Sequence, residues 1–135
     1  MSALKNTVFA LAFAWVAVGC ATTAHNDVAT SADTLASKTQ SFAHATESAP
    51  GQTPSSDDTY TQDVQALADQ ARDFSRMASN GAANSDLQAA FNDLSKSYLT
   101  VNAEVDRSHN QWTRDTWRSV RAAYVDLENH IHNYG

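Results

Sequence analysis

Apolar residues, most of them large, recur with the same spacing in three successive stretches of the second half of the chain. Within each stretch they alternate at intervals of three and four positions, which is the spacing of a and d positions in a heptad. The three sets are Val64, Leu67, Ala71, Phe74 and Ala78; Phe91, Leu94, Tyr98, Val101 and Val105; and Trp117, Val120, Tyr124, Leu127 and Ile131. Each set predicts an amphipathic helix with one buried face, and three such helices leave little room for any fold other than a bundle.

Residues that favour helix ends lie between these stretches. Asn80 and Gly81 tolerate the left-handed conformation that closes a helix, and Ser85 with Gln88 has the spacing of a capping box. The cap of the third helix has three candidates, which are Ser108 in the same spacing with Gln111, Asn110, and Thr113. The predicted helices span 59–79, 86–106 and 111–132. Their short connections make neighbouring helices antiparallel.

The region before this repeat has a different composition. Residues 20–58 are rich in Ala, Ser and Thr and contain few large apolar residues, so we predict a flexible tether there. The alternative is a weak helix at 26–45, because five residues share helical spacing on one face. They are Val28, Ala32, Leu35, Thr39 and Phe42. We therefore predict an all-α chain: a small antiparallel three-helix bundle with heptad-like packing over 59–135, with the weak fourth helix as an open alternative.

The beginning of the chain has the pattern of an export signal. Lys5 precedes an uncharged apolar run over 7–18, and the one Cys of the 135 residues follows at Cys20. The run is shorter than the roughly 20 apolar residues that span a bilayer and has the length of a signal-peptide core. In these features the chain resembles a bacterial lipoprotein precursor, in which the cysteine after a small-residue stretch becomes the mature N-terminus.

This resemblance implies a processing route and an address. Residues 1–19 would be a signal peptide removed before Cys20, and Cys20 would carry a diacylglycerol and further acyl chains such as palmitate. Ala21 stands where inner-membrane retention signals of such lipoproteins have Asp, which implies the outer membrane with the protein facing the periplasm. The alternatives are an ordinary secretory signal cleaved near residues 21–24 and an uncleaved anchor.

Charge and motif content exclude several classes of function. The net charge is -6, from 9 Lys and Arg against 15 Asp and Glu, which argues against nucleic-acid binding. A single Cys supplies neither a disulfide nor the paired thiolates of a zinc site. The sequence also lacks a phosphate-binding loop, an H-E-x-x-H metal motif and a nucleophile elbow. We therefore expect a protein that is not an enzyme and has no cofactor.

Three arginines on the predicted third helix are the first candidate interaction site. Arg114, Arg118 and Arg121 are spaced so that they form one stripe, and guanidinium groups bind carboxylates and phosphates with two parallel hydrogen bonds. Trp112 is close to them in sequence and outside the repeat, so the prediction is an exposed patch of Trp112 and the three arginines. The alternative is that the arginines make no contact with a partner: they pair with acidic residues of the first predicted helix, which are Asp63, Asp69 and Asp73, or are solvated at the flank of the bundle.

Two histidines near the C-terminus are the candidate metal ligands. Each of His130 and His132 follows an acidic residue by four positions, at Asp126 and Glu128, and such pairs could present an oxygen and an imidazole to a metal ion. However, residues two apart lie about 200° apart around a helix. Both histidines therefore cannot bind the same ion from one helix, and stabilising acid-to-histidine pairs are the favoured interpretation.

These features predict a non-enzymatic lipoprotein of the outer membrane that acts as a structural or interaction module. Its partners would be the membrane, through the lipid anchor, and either an envelope protein or a second copy of the chain. The alternative function is a periplasmic helical bundle that carries or senses a metal or haem.

Overall fold

The computed structural model of the protein describes the backbone of residues 7–48 and 58–133 and the side chains of 26–48 and 59–133. In these ranges the chain is all-α, with no strand. The four helices are α1 (Thr7–Ser48), α2 (Asp58–Ser79), α3 (Asn84–Arg107) and α4 (Gln111–Asn133). The all-α prediction is thus confirmed.

The heptad repeat accounts for α2, α3 and α4. Their bounds differ by at most two residues from the predicted helices, and all fifteen repeat positions are buried, with at most 7% of their surface exposed. Tyr60 and Leu87, four positions before the repeats in α2 and α3, are buried too. Thr113 occupies the corresponding position in α4 and is 1% exposed.

The connection from α2 to α3 is closed by a glycine. Gly81 has a φ of 76°, and the N–H of Ala82 donates to the carbonyl of Met77 at 3.0 Å. This is the six-to-one hydrogen bond of a Schellman motif, which satisfies the last carbonyls of a helix. The predicted end at Asn80 and Gly81 is confirmed.

The starts of α3 and α4 are capped differently from each other. Among the candidates for α4, Asn110 fills the role, because its side-chain oxygen accepts from the N–H of Thr113 at 3.3 Å. The predicted capping box at Ser85 and Gln88 is wrong. The helix begins one residue before Ser85, and the N-cap is Ala83, which makes no side-chain cap bond.

The first helix is where the structure departs most from the prediction. The bundle has four full helices rather than three with a weak fourth, and residues 26–48 form a packed helix where a flexible tether was favoured. Residues 20–25 of the predicted tether belong to the backbone of α1 and residue 58 begins α2, while residues 49–57 lie outside the described residues. Six residues at heptad spacing line the buried face of α1, each at most 3% exposed: Val28, Ala32, Leu35, Thr39, Phe42 and Thr46.

Buried threonines explain why a sequence poor in large apolar residues still packs here. The hydroxyl of Thr39 donates to the carbonyl of Leu35 at 3.0 Å, and that of Thr46 donates to the carbonyl of Phe42 at 2.9 Å. Since their own helix satisfies the hydroxyls, both threonines turn their methyl groups to the core at no cost in unpaired polar groups.

The helices are neighbours in chain order, and α4 returns to α1. Ser31 meets His130 and Phe42 meets Trp117, so α1 and α4 run antiparallel. Three alanines of α1 and three of α2 are buried in the core, and small residues let helices approach closely. These alanines are Ala32, Ala36, Ala43, Ala68, Ala71 and Ala78. In contrast, α3 and α4 make the least close backbone approach among neighbours, because large aromatic side chains lie between them.

These aromatic residues form one continuous column. The rings of Tyr98 and Tyr124 stack with centroids 3.7 Å apart, and Trp117 stacks on Tyr98 at 5.5 Å. Phe91 stacks on the other side of Tyr124 at 5.7 Å, and Phe42 meets Trp117 edge-on at 5.0 Å. Offset and edge-on aromatic pairs add to the stability gained by burial.

Candidate interaction face between α3 and α4

A polar network joins α3 to α4 at the surface of the aromatic column. The Asn102 side-chain oxygen accepts from Trp117 Nε1 at 2.9 Å and from Arg121 Nη2 at 2.9 Å. The same Arg121 nitrogen donates to Asp106 Oδ1 at 2.8 Å. Because Trp117 is 1% exposed, Asn102 satisfies a buried donor and holds the Arg121 guanidinium in place.

The other two arginines of the stripe are held more loosely. Arg118 pairs at 3.1 Å with Asp115 of its own helix, and 78% of its side chain is exposed. Arg114 makes a 3.4 Å hydrogen bond to Gln111. Pairing of the arginines with Asp63, Asp69 and Asp73 is not among the bonds that the structure records in the described residues, whereas all three arginines are exposed, as the solvated alternative predicts. Asp69 and Asp73 instead pair with Arg72 and Arg76 of α2.

The three arginines line a groove of about 340 Å³ between α3 and α4. Its other lining residues are Val105, Asp106, Gln111 and Asp115. Three guanidinium groups face two carboxylates there, so the groove carries a net positive charge on a chain whose net charge is -6. Such a local reversal of sign favours anionic groups.

Two exposed apolar residues extend this groove along the bundle. Val125 follows Arg121 by four positions and continues the arginine stripe, while Leu99 precedes Asn102 by three positions on the facing side of α3. Leu99 is 59% and Val125 47% exposed. We call the surface of these residues the α3–α4 face; it comprises Leu99, Asn102, Asp106, Arg114, Arg118, Arg121 and Val125.

Leu99 and Val125 were not among the predicted interaction residues. Both are large apolar residues outside the heptad positions, and that property could have identified them. Of the three exposed large hydrophobic side chains in the described residues, two therefore lie on the α3–α4 face.

Trp112, the third of these, does not lie on that face. It precedes Arg114 by two positions and Arg121 by nine, so the helix places it about 180–200° from both. Its side chain is 37% exposed on the opposite flank of α4. The predicted patch is therefore divided: the arginines lie together, and Trp112 is separated from them by the body of the helix.

The C-terminal histidines are also separated. His130 Nδ1 lies 3.0 Å from Ser31 Oγ and 2.9 Å from the carbonyl oxygen of Asp126, whereas His132 is exposed. No group of three or more metal-binding side chains occurs within the described residues. The contact between α1 and α4 was missed because Ser31 lies 95 residues or more from its partners.

Ser31, Asp126 and His130 are the residue types of a nucleophilic triad, but their arrangement is different. Ser31 Oγ donates to Asp126 Oδ2 at 2.7 Å, so the serine and the carboxylate both lie on the Nδ1 side of the ring. In a triad the serine donates to one ring nitrogen and the carboxylate accepts from the other. Ser31 is 5% exposed, and the cluster joins α1 to α4.

A second group of ionisable side chains lies where α2 and α3 meet. Burial raises the pKa of Tyr60, and the nearby Glu104 raises it further. The pKa of Glu104 is itself raised by burial and by Asp63, against a lowering effect of Arg107. Glu104 Oε2 is buried without a hydrogen-bond partner among the described residues. The negative charge of Glu104 is therefore held at a cost to stability.

Cys20 lies in α1, and its side chain is outside the described residues. Over the described residues, no helix contains a segment long and apolar enough to cross a membrane. Comparison with protein-family models, curated proteins and solved structures finds no match to this chain.

Proposed function

We propose that this chain is the precursor of a lipoprotein of the bacterial outer membrane, anchored through Cys20, whose helical bundle binds a partner in the periplasm and performs no catalysis. The α3–α4 face carries the binding part of the proposal, because it combines exposed apolar side chains with positive charge on an acidic molecule. The position of the one cysteine directly after the apolar run supports the anchor.

The direction of α1 supports a partner away from the anchoring membrane. Cys20 and Phe42 lie in the same helix, and their separation of 22 residues corresponds to roughly 33 Å of helix. Phe42 contacts Trp117, which lies beside Arg114 and Arg118 on α4. A bundle anchored at Cys20 would therefore hold its arginines far from the lipid headgroups around the anchor.

Intact-mass analysis of the membrane fraction tests the anchor. We expect a mature chain that begins at Cys20 and carries acyl chains, and we expect Cys20→Ala to abolish both the acylation and the membrane retention. Two or three acyl chains hold a small protein on a membrane, whereas one gives only marginal binding. An unacylated wild-type chain recovered free in the periplasm would contradict the proposal.

Substitutions of Ala21 provide the matched control and test the address. Ala21→Ser keeps Cys20 and should leave both acylation and outer-membrane location unchanged. Ala21→Asp introduces the residue typical of inner-membrane retention and should move the acylated chain to the inner membrane. Acylated Ala21→Asp protein that remains in the outer-membrane fraction would contradict the sorting part of the proposal.

A further inference from the structure

We propose that the α3–α4 face binds an acidic amphipathic peptide segment of another protein. The inference rests on the proposed partner-binding function and names the chemistry of the partner. Such a segment would place carboxylates against the arginines and apolar side chains against Leu99 and Val125.

The charges of the face favour carboxylates as the polar groups of the partner. The groups already bonded to these guanidiniums are carboxylate or amide oxygens: Asp115 for Arg118, Gln111 for Arg114, and Asn102 with Asp106 for Arg121. The side chains of Arg118 and Asp115 are 78% and 49% exposed, so this pair is weak and open to exchange. A carboxylate from a partner can replace Asp115 without unfolding any element.

The apolar part of the face favours a peptide over a polyanion without apolar groups. Leu99 and Val125 each expose more than 45% of their surface. Both lie near Arg121 along the length of the bundle. From Arg114 to Val125 the face extends along 11 residues of helix, which is roughly 16 Å or three turns. An amphipathic segment of similar length can contact the guanidiniums and both apolar side chains together.

Charge also argues against a second copy of the same chain on this face. A two-fold dimer brings identical surfaces together, and the loosely held Arg114 and Arg118 of one copy would face those of the other. Like charges brought together in this way weaken association. A partner of opposite charge meets no such repulsion.

A titration followed by nuclear magnetic resonance tests the proposal on the full mature chain. The probe is a synthetic peptide of about four helical turns. In it, Glu residues recur at alternating intervals of three and four positions, and so do Leu residues. We expect chemical-shift changes confined to α3 and α4 around Leu99, Arg118 and Val125, and an affinity that falls with added salt. The same peptide with Lys in place of Glu should cause no such changes.

Two pairs of variants separate the face from general effects. Arg118→Glu should weaken binding about tenfold or more, whereas Arg76→Glu should change it by less than about twofold. Arg76 is the matched control, because it is an exposed arginine of α2 that also pairs with an aspartate three positions earlier. Leu99→Ser should weaken binding, while Trp112→Ser on the opposite flank should not. Circular dichroism and thermal melting verify that all four variants fold.

The proposal would be overturned if the peptide caused no chemical-shift changes up to about 1 mM, where even weak complexes are visible. Chemical-shift changes centred outside α3 and α4 would also overturn it. So would equal losses of peptide affinity for Arg118→Glu and Arg76→Glu. Vesicles containing anionic phospholipid that compete for the face more strongly than the peptide would assign it to headgroups instead. The mass of the mature chain is measured in a separate experiment. Failure of the anchor proposal can therefore be distinguished from failure of the peptide proposal.

Discussion

The side chain of Asn102 makes three polar contacts at the boundary between α3 and α4. Its oxygen accepts from Trp117 and Arg121, and its amide nitrogen donates to Asp106 Oδ2 at 3.3 Å. Trp117 lies in the aromatic column between Tyr98 and Phe42, and its ring nitrogen donates to Asn102 across the gap between the two helices. One amide side chain therefore connects the buried column to the exposed arginine stripe.

We expect Asn102→Ala to lower the free energy of unfolding by about 1–2 kcal/mol, because the buried Trp117 nitrogen loses its acceptor. Urea denaturation followed by circular dichroism measures the change. Asn92→Ala, at an exposed position of the same helix, is the control and should change stability by less than about 0.5 kcal/mol. Equal losses for the two variants would show that the Asn102 contacts do not stabilise the fold.

Glu104 gives stability a dependence on pH. Its pKa in the folded chain lies above the ordinary value of 4.5, first because of burial and then because of Asp63, with Arg107 acting in the opposite direction. The folded chain therefore binds this proton more tightly than the unfolded chain does. The resulting stabilisation is fully present below the ordinary pKa and is lost as the pH rises through the folded pKa.

We accordingly predict that Glu104→Gln is more stable than the wild type at pH 7, and that the difference disappears as the pH falls below about 4. The gain should be under about 1 kcal/mol, because the group is partly exposed and solvent screens its charge. Denaturation midpoints at a series of pH values measure it. Glu128→Gln on α4 removes one negative charge elsewhere and is the control; a gain of the same size there would refute the local explanation.

At the scale of elements, α1 is the helix whose role the structure changes most. Its buried face contacts both α2 and α4, and Phe42 is 2% exposed against the edge of Trp117. A flexible tether would make no contribution to the cooperative unfolding of the domain. A packed helix contributes in proportion to the apolar surface that it buries.

Phe42→Ala should lower the free energy of unfolding by about 3–5 kcal/mol, because it leaves a cavity at the end of the aromatic column. Thermal and urea denaturation measure this loss. Ser41→Ala, at the adjacent exposed position, should change stability by less than about 0.5 kcal/mol. If Phe42→Ala does not fold, Phe42→Leu provides a milder change, and indistinguishable curves for wild type and Phe42→Leu would contradict the packed role of α1.

For the whole molecule, the sizes of the buried side chains determine where the accessible surface lies. The helices α1 and α2 both bury alanines and approach each other closely, while the stacked tyrosines and Trp117 lie between α3 and α4. A groove lies at the surface between α3 and α4, and the arginine stripe of α4 borders it. Partner binding is proposed at this groove rather than at the closely packed side of the bundle.

The sequence by itself determined α2, α3 and α4 and their buried faces. Helical periodicity is local, so residues such as Phe91 and Trp117 identify the buried face without knowledge of what packs on it. The stripe of Arg114, Arg118 and Arg121 follows from the same rule. The separation of Trp112 from that stripe follows from the same periodicity, because residues two or nine positions apart lie on opposite sides of a helix.

Only the tertiary structure decided that α1 is part of the bundle and that the groove lies between α3 and α4. By residue type alone, Thr39 and Thr46 are consistent with a flexible tether. In the tertiary structure their hydroxyls donate to carbonyl groups of the packed helix α1. Likewise, Ser31 meets His130 from 99 positions away, which no local pattern encodes. Which helices are neighbours, and how far apart they lie, depends on side chains that distant segments bring together, because interhelical distance is set by the residues at the contact.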